Sequence, residues 1–227
     1  MTRTLRLVMF DMDGTLIDSQ DFIYEAMRRA FVQMGLPELG RQQVLSIVGL
    51  SLDKAIAALM PQLTGKDVHE AAELYKQCFI SLRAEKGGEG AAPLYDGVRE
   101  TLESMARDDF LLMGVATGKA RRGLDHAYDS HKIGHYFVTH QTADHHPSKP
   151  HPSMLETALR ETGVEASNAV MIGDTQFDME MAKAAGYHAI AVDWGYHPIE
   201  RLGAADAMLS RMSDLPDYLN TLWGNEA

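Results

Sequence analysis

The sequence predicts an α/β protein with a parallel sheet at its centre and an all-helical insertion after the first strand. Three observations predict it. From residue 97 onward, short apolar runs alternate with segments of helical spacing, the pattern of a parallel sheet whose strands are linked by helices. Between Gln20 and Ala84 helical spacing recurs and no strand pattern interrupts it. The run Leu5–Phe10 precedes that helical stretch, so the core is built from both ends of the chain.

The elements follow in order. Leu5–Phe10 is apolar and rich in strand formers, as expected of a strand buried on both faces. A helix follows from about Gln20 to Met34, with Phe22, Ile23, Met27, Ala30, Phe31 and Met34 at helical spacing, Asp18 or Ser19 before it and Gly35 and Pro37 after it. Helical spacing continues over Arg41–Val48, over Leu52–Met60 behind Ser51, and over Lys66 to about Ala84. In the last of these Cys78 sits at helical spacing from Tyr75 and Leu82, which predicts a small buried apolar residue. Lys86–Pro93, with three glycines, reads as a linker. Beyond it the reading is helix Gly97–Arg107, strand Phe110–Ala116, helix Ala120–Tyr128, short strand Tyr136–Thr139 and helix His151–Thr162. Strand Ala169–Ile172, helix Phe177–Ala185 stopped by Gly186, and strand Ala189–Val192 complete it.

Composition narrows the function classes. The chain has 227 residues, a single cysteine and a formal charge of −11. That charge argues against nucleic acid or an anionic membrane as the main partner. The lone cysteine excludes an internal disulfide and fits a reducing cytoplasm. No apolar stretch approaches a membrane span, and the N-terminus lacks a signal-peptide pattern. Ser19–Ala92 carries nine acidic and eight basic side chains, so nearly all the negative charge lies in the flanking segments. An anionic substrate handled there needs a metal and fixed basic groups.

Four strand ends carry the chemistry. The first strand stops at Asp11-Met12-Asp13-Gly14-Thr15, with two carboxylates at i and i+2 on one side of extended chain. Two anions so placed call for a cation, usually Mg²⁺, or a shared proton. Val115-Ala116-Thr117-Gly118 puts a hydroxyl and a glycine turn before a helix, suited to a phosphate oxygen. Lys149, between Pro147 and Pro150, offers one ammonium in a proline-stiffened loop. Ile172-Gly173-Asp174 repeats the strand-to-carboxylate pattern, with Asp178 four residues on; these acids either complete a Mg²⁺ site with Asp11 or cap the following helix. Seven histidines from His126 to His151 follow no compact ligand spacing and read as exposed loop residues rather than a zinc site.

In this order, each at a predicted strand end, the four segments resemble the signature motifs of the haloacid dehalogenase-like hydrolase superfamily. Asp-x-Asp-Gly-Thr falls at Asp11–Thr15, the strand-ending hydroxyl at Thr117, the lysine at Lys149, and Gly-Asp-x-x-x-Asp at Gly173–Asp178. The wording Ser148-Lys149-Pro150-x-Pro152 and Gly173-Asp174-Thr175 is similar to the phosphoglycolate phosphatase-like branch. The resemblance implies a Rossmann-like α/β core, residues 1–18 and 91–227, with a helical cap, residues 19–90.

It also implies roles. Asp11 would be the nucleophile that accepts the phosphoryl group, and Asp13 the acid and base. Thr117 and Gly118 would hold phosphoryl oxygens and Lys149 would offset their charge. Mg²⁺ would be held by Asp11, the Asp13 main-chain carbonyl and Asp174, with Asp178 in direct or indirect support. Gly49 and Ser51 lie where such caps place substrate-specifying residues. Asp13 sets the chain apart from dehalogenases acting on carbon and from phosphonoacetaldehyde hydrolases. The expected activity is Mg²⁺-dependent hydrolysis of a small phosphate monoester, phosphoglycolate or a similar metabolite. A sugar phosphomutase is the alternative, made less apt by the lack of an arginine directly after Ser51; a nucleotidase or pyrophosphatase, and a non-catalytic binding module on the same fold, are the others. Expected partners are a small phosphorylated metabolite, no nucleic acid and no membrane, in a cytoplasmic monomer or homodimer.

Overall fold

A computed structural model describes residues 3–86, without the Lys86 side chain, and 92–224; the central residues of the expected linker, and with them the expected 90/91 boundary, lie outside the described residues. Six parallel strands form one sheet: β1 (Arg6–Phe10), β2 (Leu111–Thr117), β3 (Thr139–Thr142), β4 (Ala169–Gly173), β5 (His188–Val192) and β6 (Ala207–Leu209). Their spatial order is β3-β2-β1-β4-β5-β6, so the chain reverses direction across the sheet between β1 and β4. In such sheets the ligand site lies outside the carboxyl ends of the strands at that reversal. β1 pairs with β2, Phe10 opposite Val115, and with β4, Phe10 opposite Ile172.

The alternation of side chains along β1 feeds two separate apolar layers. Val8 and Phe10 join α5 (Val98–Met105), α6 (Arg121–His131) and α9 (Leu215–Trp223) on one face. Leu7 and Met9 join α7 (Ser153–Thr162) and α8 (Gln176–Ala184) on the other. Both faces being covered explains why β1 reads as a continuous apolar run.

A third apolar cluster gathers α1 (Gln20–Gln33), α2 (Arg41–Leu45), α3 (Leu52–Leu59) and α4 (Gly65–Lys86). Phe22, Met27 and Phe31 of α1 meet Ala71, Cys78 and Leu82 of α4 there. Cys78 is buried, as its helical spacing predicts. The chain leaves the sheet through Leu16–Asp18 and returns through Pro93–Tyr95, and the two passages are hydrogen-bonded: Asp18 N–H to Pro93 O at 2.8 Å and Tyr95 N–H to Leu16 O at 3.1 Å.

Three differences from the sequence reading have local causes. The strand expected at Tyr136–Thr139 lies instead at Thr139–Thr142, a polar edge strand, while Gly134–Tyr136 forms a single 3₁₀ turn. β6 and α9 follow the last expected element; β6 has three residues, too few for any period to show. The histidines are not uniformly exposed. His131 is buried, its Nε2 2.9 Å from Ala92 O, and His140 and His146 are half-buried against Tyr128 Oη and Ser153 Oγ. Among the described residues no histidine joins a metal-binding group, and no helix is long and apolar enough to cross a membrane.

Candidate active site

β1 delivers Asp11 and β4 delivers Asp174 to neighbouring strand ends at the sheet's reversal. Asp174 is fully buried and held from two sides: Thr15 Oγ1 donates to its Oδ1 at 2.9 Å and the Tyr196 N–H to its Oδ2 at 2.8 Å. The turn after β1 needs its glycine. Gly14 has φ of 84°, and a Cβ there would lie 2.2 Å from Asp174 Oδ2, so any side chain would displace the carboxylate.

Asp178 sits in the first turn of α8, where Thr175 and Asp178 form a reciprocal capping box. Its Oδ2 accepts from Thr175 N–H at 3.1 Å and Thr175 Oγ1 at 2.6 Å; its Oδ1 accepts from Lys149 Nζ at 2.6 Å. Lys149 is also 3.0 Å from Asp11 Oδ1 and is only 1% exposed. Burial alone would lower the Lys149 pKa, but Asp11 and Asp178 outweigh it and hold the ammonium charged.

One carboxylate oxygen from each of Asp11, Asp174 and Asp178 lies within 4.8 Å of the other two. Burial pushes the Asp11 pKa up to about 7, with Lys149 pulling against it and Asp178 and Asp13 adding to it. Burial, then Asp178 and Asp11, pushes Asp174 well above the carboxylate range. Hard oxygen donors gathered this closely, with charge in excess of their one lysine, suit Mg²⁺. The Asp13 carboxylate is not in this group. It turns to Ser19 Oγ and to Lys119 Nζ, the latter at 2.8 Å, which leaves its main-chain carbonyl as the route by which it was expected to serve a metal.

Asp11 Oδ1 accepts the Met12 N–H at 2.7 Å, and no described residue hydrogen-bonds to Oδ2. Asp11, Asp13, Thr117 and Gly118 line a cavity of about 440 Å³ that Gly49 and Ser51 close from the helical side. The closure is tight. A Cβ on Gly118 would lie 2.7 Å from the carbonyl oxygens of both Gly49 and Leu50, and the Ser51 N–H donates to Ser148 Oγ at 2.8 Å.

Sequence reasoning missed Ser19, Lys119 and Tyr196 as site residues, and gave Thr15 only as the hydroxyl that ends the first motif. Tyr196 and His197 follow β5 within Asp193–Pro198, another strand end, and the position rule that singled out the other four would have found them. The Tyr196 hydroxyl accepts the Ser19 N–H at 2.9 Å, and its ring packs on the helical cluster.

His197 joins the same two regions. Its Nδ1 accepts the Gln176 N–H at 3.2 Å and its Nε2 donates to Ser46 O at 3.0 Å, an arrangement that requires the neutral ring. Burial first, and Arg201 second, lower its pKa from 6.5 to about 4. The unfolded chain therefore takes up this proton near pH 6.5 while the folded one resists until about pH 4. Stability from this group is fully present above the unfolded value and falls as pH drops, by up to about 3 kcal/mol. Urea unfolding should show that loss between pH 7 and pH 4, and His197→Gln, which keeps a donor and an acceptor, should flatten it. An equally steep profile in the variant would assign the loss to another group.

A family model described as haloacid dehalogenase-like hydrolase matches residues 8–192. The chain is 30% identical over 225 residues to a phosphoglycolate phosphatase of Aliivibrio fischeri, covering 96% of each chain. It is 33% identical over 197 residues to a phosphoglycolate phosphatase of Pseudomonas syringae, covering 85% of this chain and 71% of that one. The fold is similar to that of a predicted phosphatase from Clostridium acetobutylicum, with a TM-score of 0.83, 22% identity, and coverage of 96% of this chain and all of the other.

Proposed function

The chain belongs to the haloacid dehalogenase-like hydrolase family, as a phosphoric monoester hydrolase, and on that footing we propose that it is a Mg²⁺-dependent phosphatase of a small metabolite, working through a phosphorylated Asp11. The observation that carries the reading is Asp11 itself. Its Oδ1 is fixed by Met12 N–H and Lys149, its Oδ2 has no partner among the described residues, and it lines the cavity.

In the first step Asp11 Oδ2 attacks phosphorus and the P–O bond to the leaving group breaks. Asp13 gives the departing oxygen its proton. In the second step a water attacks phosphorus, Asp13 takes the water's proton, the bond between phosphorus and Asp11 breaks, and inorganic phosphate leaves. Thr117 Oγ1 and the Gly118 amide bind the transferring oxygens, and Lys149 offsets charge on Asp11 and the phosphoryl group. Ser19 and Lys119 orient the Asp13 carboxylate. Asp11, Asp174 and the Asp13 main-chain carbonyl would hold Mg²⁺, which would supply charge to offset that of the phosphoryl oxygens. Asp178, with both oxygens already engaged by Lys149 and Thr175, supports the site by fixing that lysine.

Among substrates, phosphoglycolate is the first choice, supported by the names of the two relatives. A cytoplasmic location completes the reading, supported by the single buried Cys78.

The metal is tested in two ways. Excess chelator should reduce 4-nitrophenyl phosphate hydrolysis to background, and Ca²⁺, with its looser coordination, should restore it poorly. Mg²⁺ alone should also raise the Tm of the substrate-free protein, by an amount equivalent to about 2.7 kcal/mol at 100 times its Kd. Activity undiminished in chelator would sink the assignment.

A further inference from the structure

Two arginines line the cavity, Arg83 from α4 and Arg122 from α6. Neither guanidinium makes a hydrogen bond or an ion pair with any described residue. Arg83 is half-buried, with its guanidinium 5.3 Å from the centre of the Phe79 ring. Burial and the like charge of Arg122 both lower its pKa. Of the two other cations lining the cavity, Lys119 lies 5.5 Å from the centre of the same ring and is neutralised by Asp13, and Lys76 pairs with Glu73 at 2.7 Å.

Two of the acids nearby are otherwise engaged, and Asp53, which also lines the cavity, has no ion pair with either arginine. Asp125 pairs with Arg121 at 2.7 Å, and Asp144 accepts the Arg121 N–H. Asp129 lines the outer hollow beside both arginines without pairing with either. Arg83 feels the like charge of the exposed Arg122 and neither is ion-paired, so an anion placed between the two would relieve their repulsion. Guanidinium forks match carboxylate and phosphate oxygens in geometry as well as charge. The phosphoryl group to be transferred has its own partners in Thr117 and Gly118, which line the cavity, and in the buried Lys149 beside Asp11.

Resting on the phosphatase reading above, we propose that Arg83 and Arg122 together receive a second anionic group, carboxylate or phosphate, carried by the leaving part of the substrate. The preferred substrate is then an ester that is anionic at both ends. The clamp draws one arginine from the helical insertion and one from the sheet region, so an ester with a neutral leaving part lacks what joins the two.

The test compares kcat/KM for 2-phosphoglycolate, 1,2-ethanediol bisphosphate and 2-hydroxyethyl phosphate, which share a two-carbon skeleton and differ in the far group. Arg83→Gln and Arg122→Gln should each lower the values for the first two, relative to the third, by about 10- to 100-fold. Whichever doubly anionic ester loses more identifies the group received, and Arg83→Lys should recover part of the loss. An equal fall for all three esters would reduce the arginines to a structural role and overturn the proposal, as would no change. Binding provides a readout without turnover: in an Asp11→Asn background, calorimetry should show 2-phosphoglycolate binding weakened about tenfold or more by Arg83→Gln. If the wild type hydrolysed no ester, the phosphatase reading would fall, and calorimetry would still decide for or against the clamp.

Discussion

Asp11→Asn is expected to abolish turnover of every ester, to the limit of detection. An amide oxygen cannot take the place of the carboxylate that attacks phosphorus. The substitution should not unfold the protein, because it removes a buried charge while Lys149 keeps Asp178 as a partner at 2.6 Å. Asp13→Asn should behave differently. The nucleophile survives and the proton transfer is lost, costing on the order of 10²–10⁴ in kcat. That loss should be larger for an alkyl ester, whose leaving oxygen needs the proton, than for 4-nitrophenyl phosphate, whose leaving oxygen does not. Steady-state rates of both variants on both esters check the pair of expectations. Wild-type turnover in Asp11→Asn would place the nucleophile elsewhere.

Lys149→Met is expected to cost both stability and activity. Its ammonium lies between Asp11 and Asp178, and without it two buried carboxylates face each other with no cation of the protein's own. Leaving buried charge unpaired in this way costs about 3–5 kcal/mol. The penalty should shrink as pH falls. Asp11 already titrates near 7, and with its cation gone it takes up a proton more readily, which relieves the repulsion. Urea unfolding in the absence of Mg²⁺ should therefore show a larger deficit at pH 7.5 than at pH 5. Turnover should fall by about 10²–10³, the cost of removing one fixed donor to developing charge. The double variant Lys149→Met, Asp178→Asn separates the two effects, since it should recover stability without recovering rate. Recovery of rate in the double variant would mean that Lys149 serves only to neutralise Asp178.

The legible parts of this fold are those where burial acts on both faces of a strand. β1, β2, β4 and β5 lie inside the sheet under helices, so apart from Arg6, Thr117 and His188 at their ends their side chains are apolar. β3 and β6 are the sheet's edges. At Thr139–Thr142 the chain is Thr-His-Gln-Thr, and Gln141 Nε2 bonds to Glu161 at 2.8 Å rather than packing in an apolar layer, so no apolar run marks the strand. The same contrast holds in the site. Asp11, Asp13, Thr117, Lys149, Asp174 and Asp178 could be picked out because each follows or precedes a readable element. Ser19 and Lys119 act through contacts far along the chain, Ser19 with Tyr196 across 177 residues and Lys119 with Asp13 across 106, and spacing carries no trace of such contacts.

The position of β1 in the middle of the sheet bears on how the protein is made. Its two neighbours are β2, beginning at Leu111, and β4, ending at Gly173. At a ribosomal rate of about 5–20 residues per second, β1 and its acidic turn wait on the order of ten seconds for the second of them. α1 to α4, by contrast, are consecutive and find their partners within their own stretch, so they close first, as local contacts generally do. The helical insertion would then be a finished body tethered to an unpaired apolar strand, and that strand is the segment a nascent-chain chaperone would have to shield. A stalled chain ending near residue 150 should resist proteolysis over α1–α4 and be cut within β1; protection of β1 at that length would show that it pairs before β4 exists.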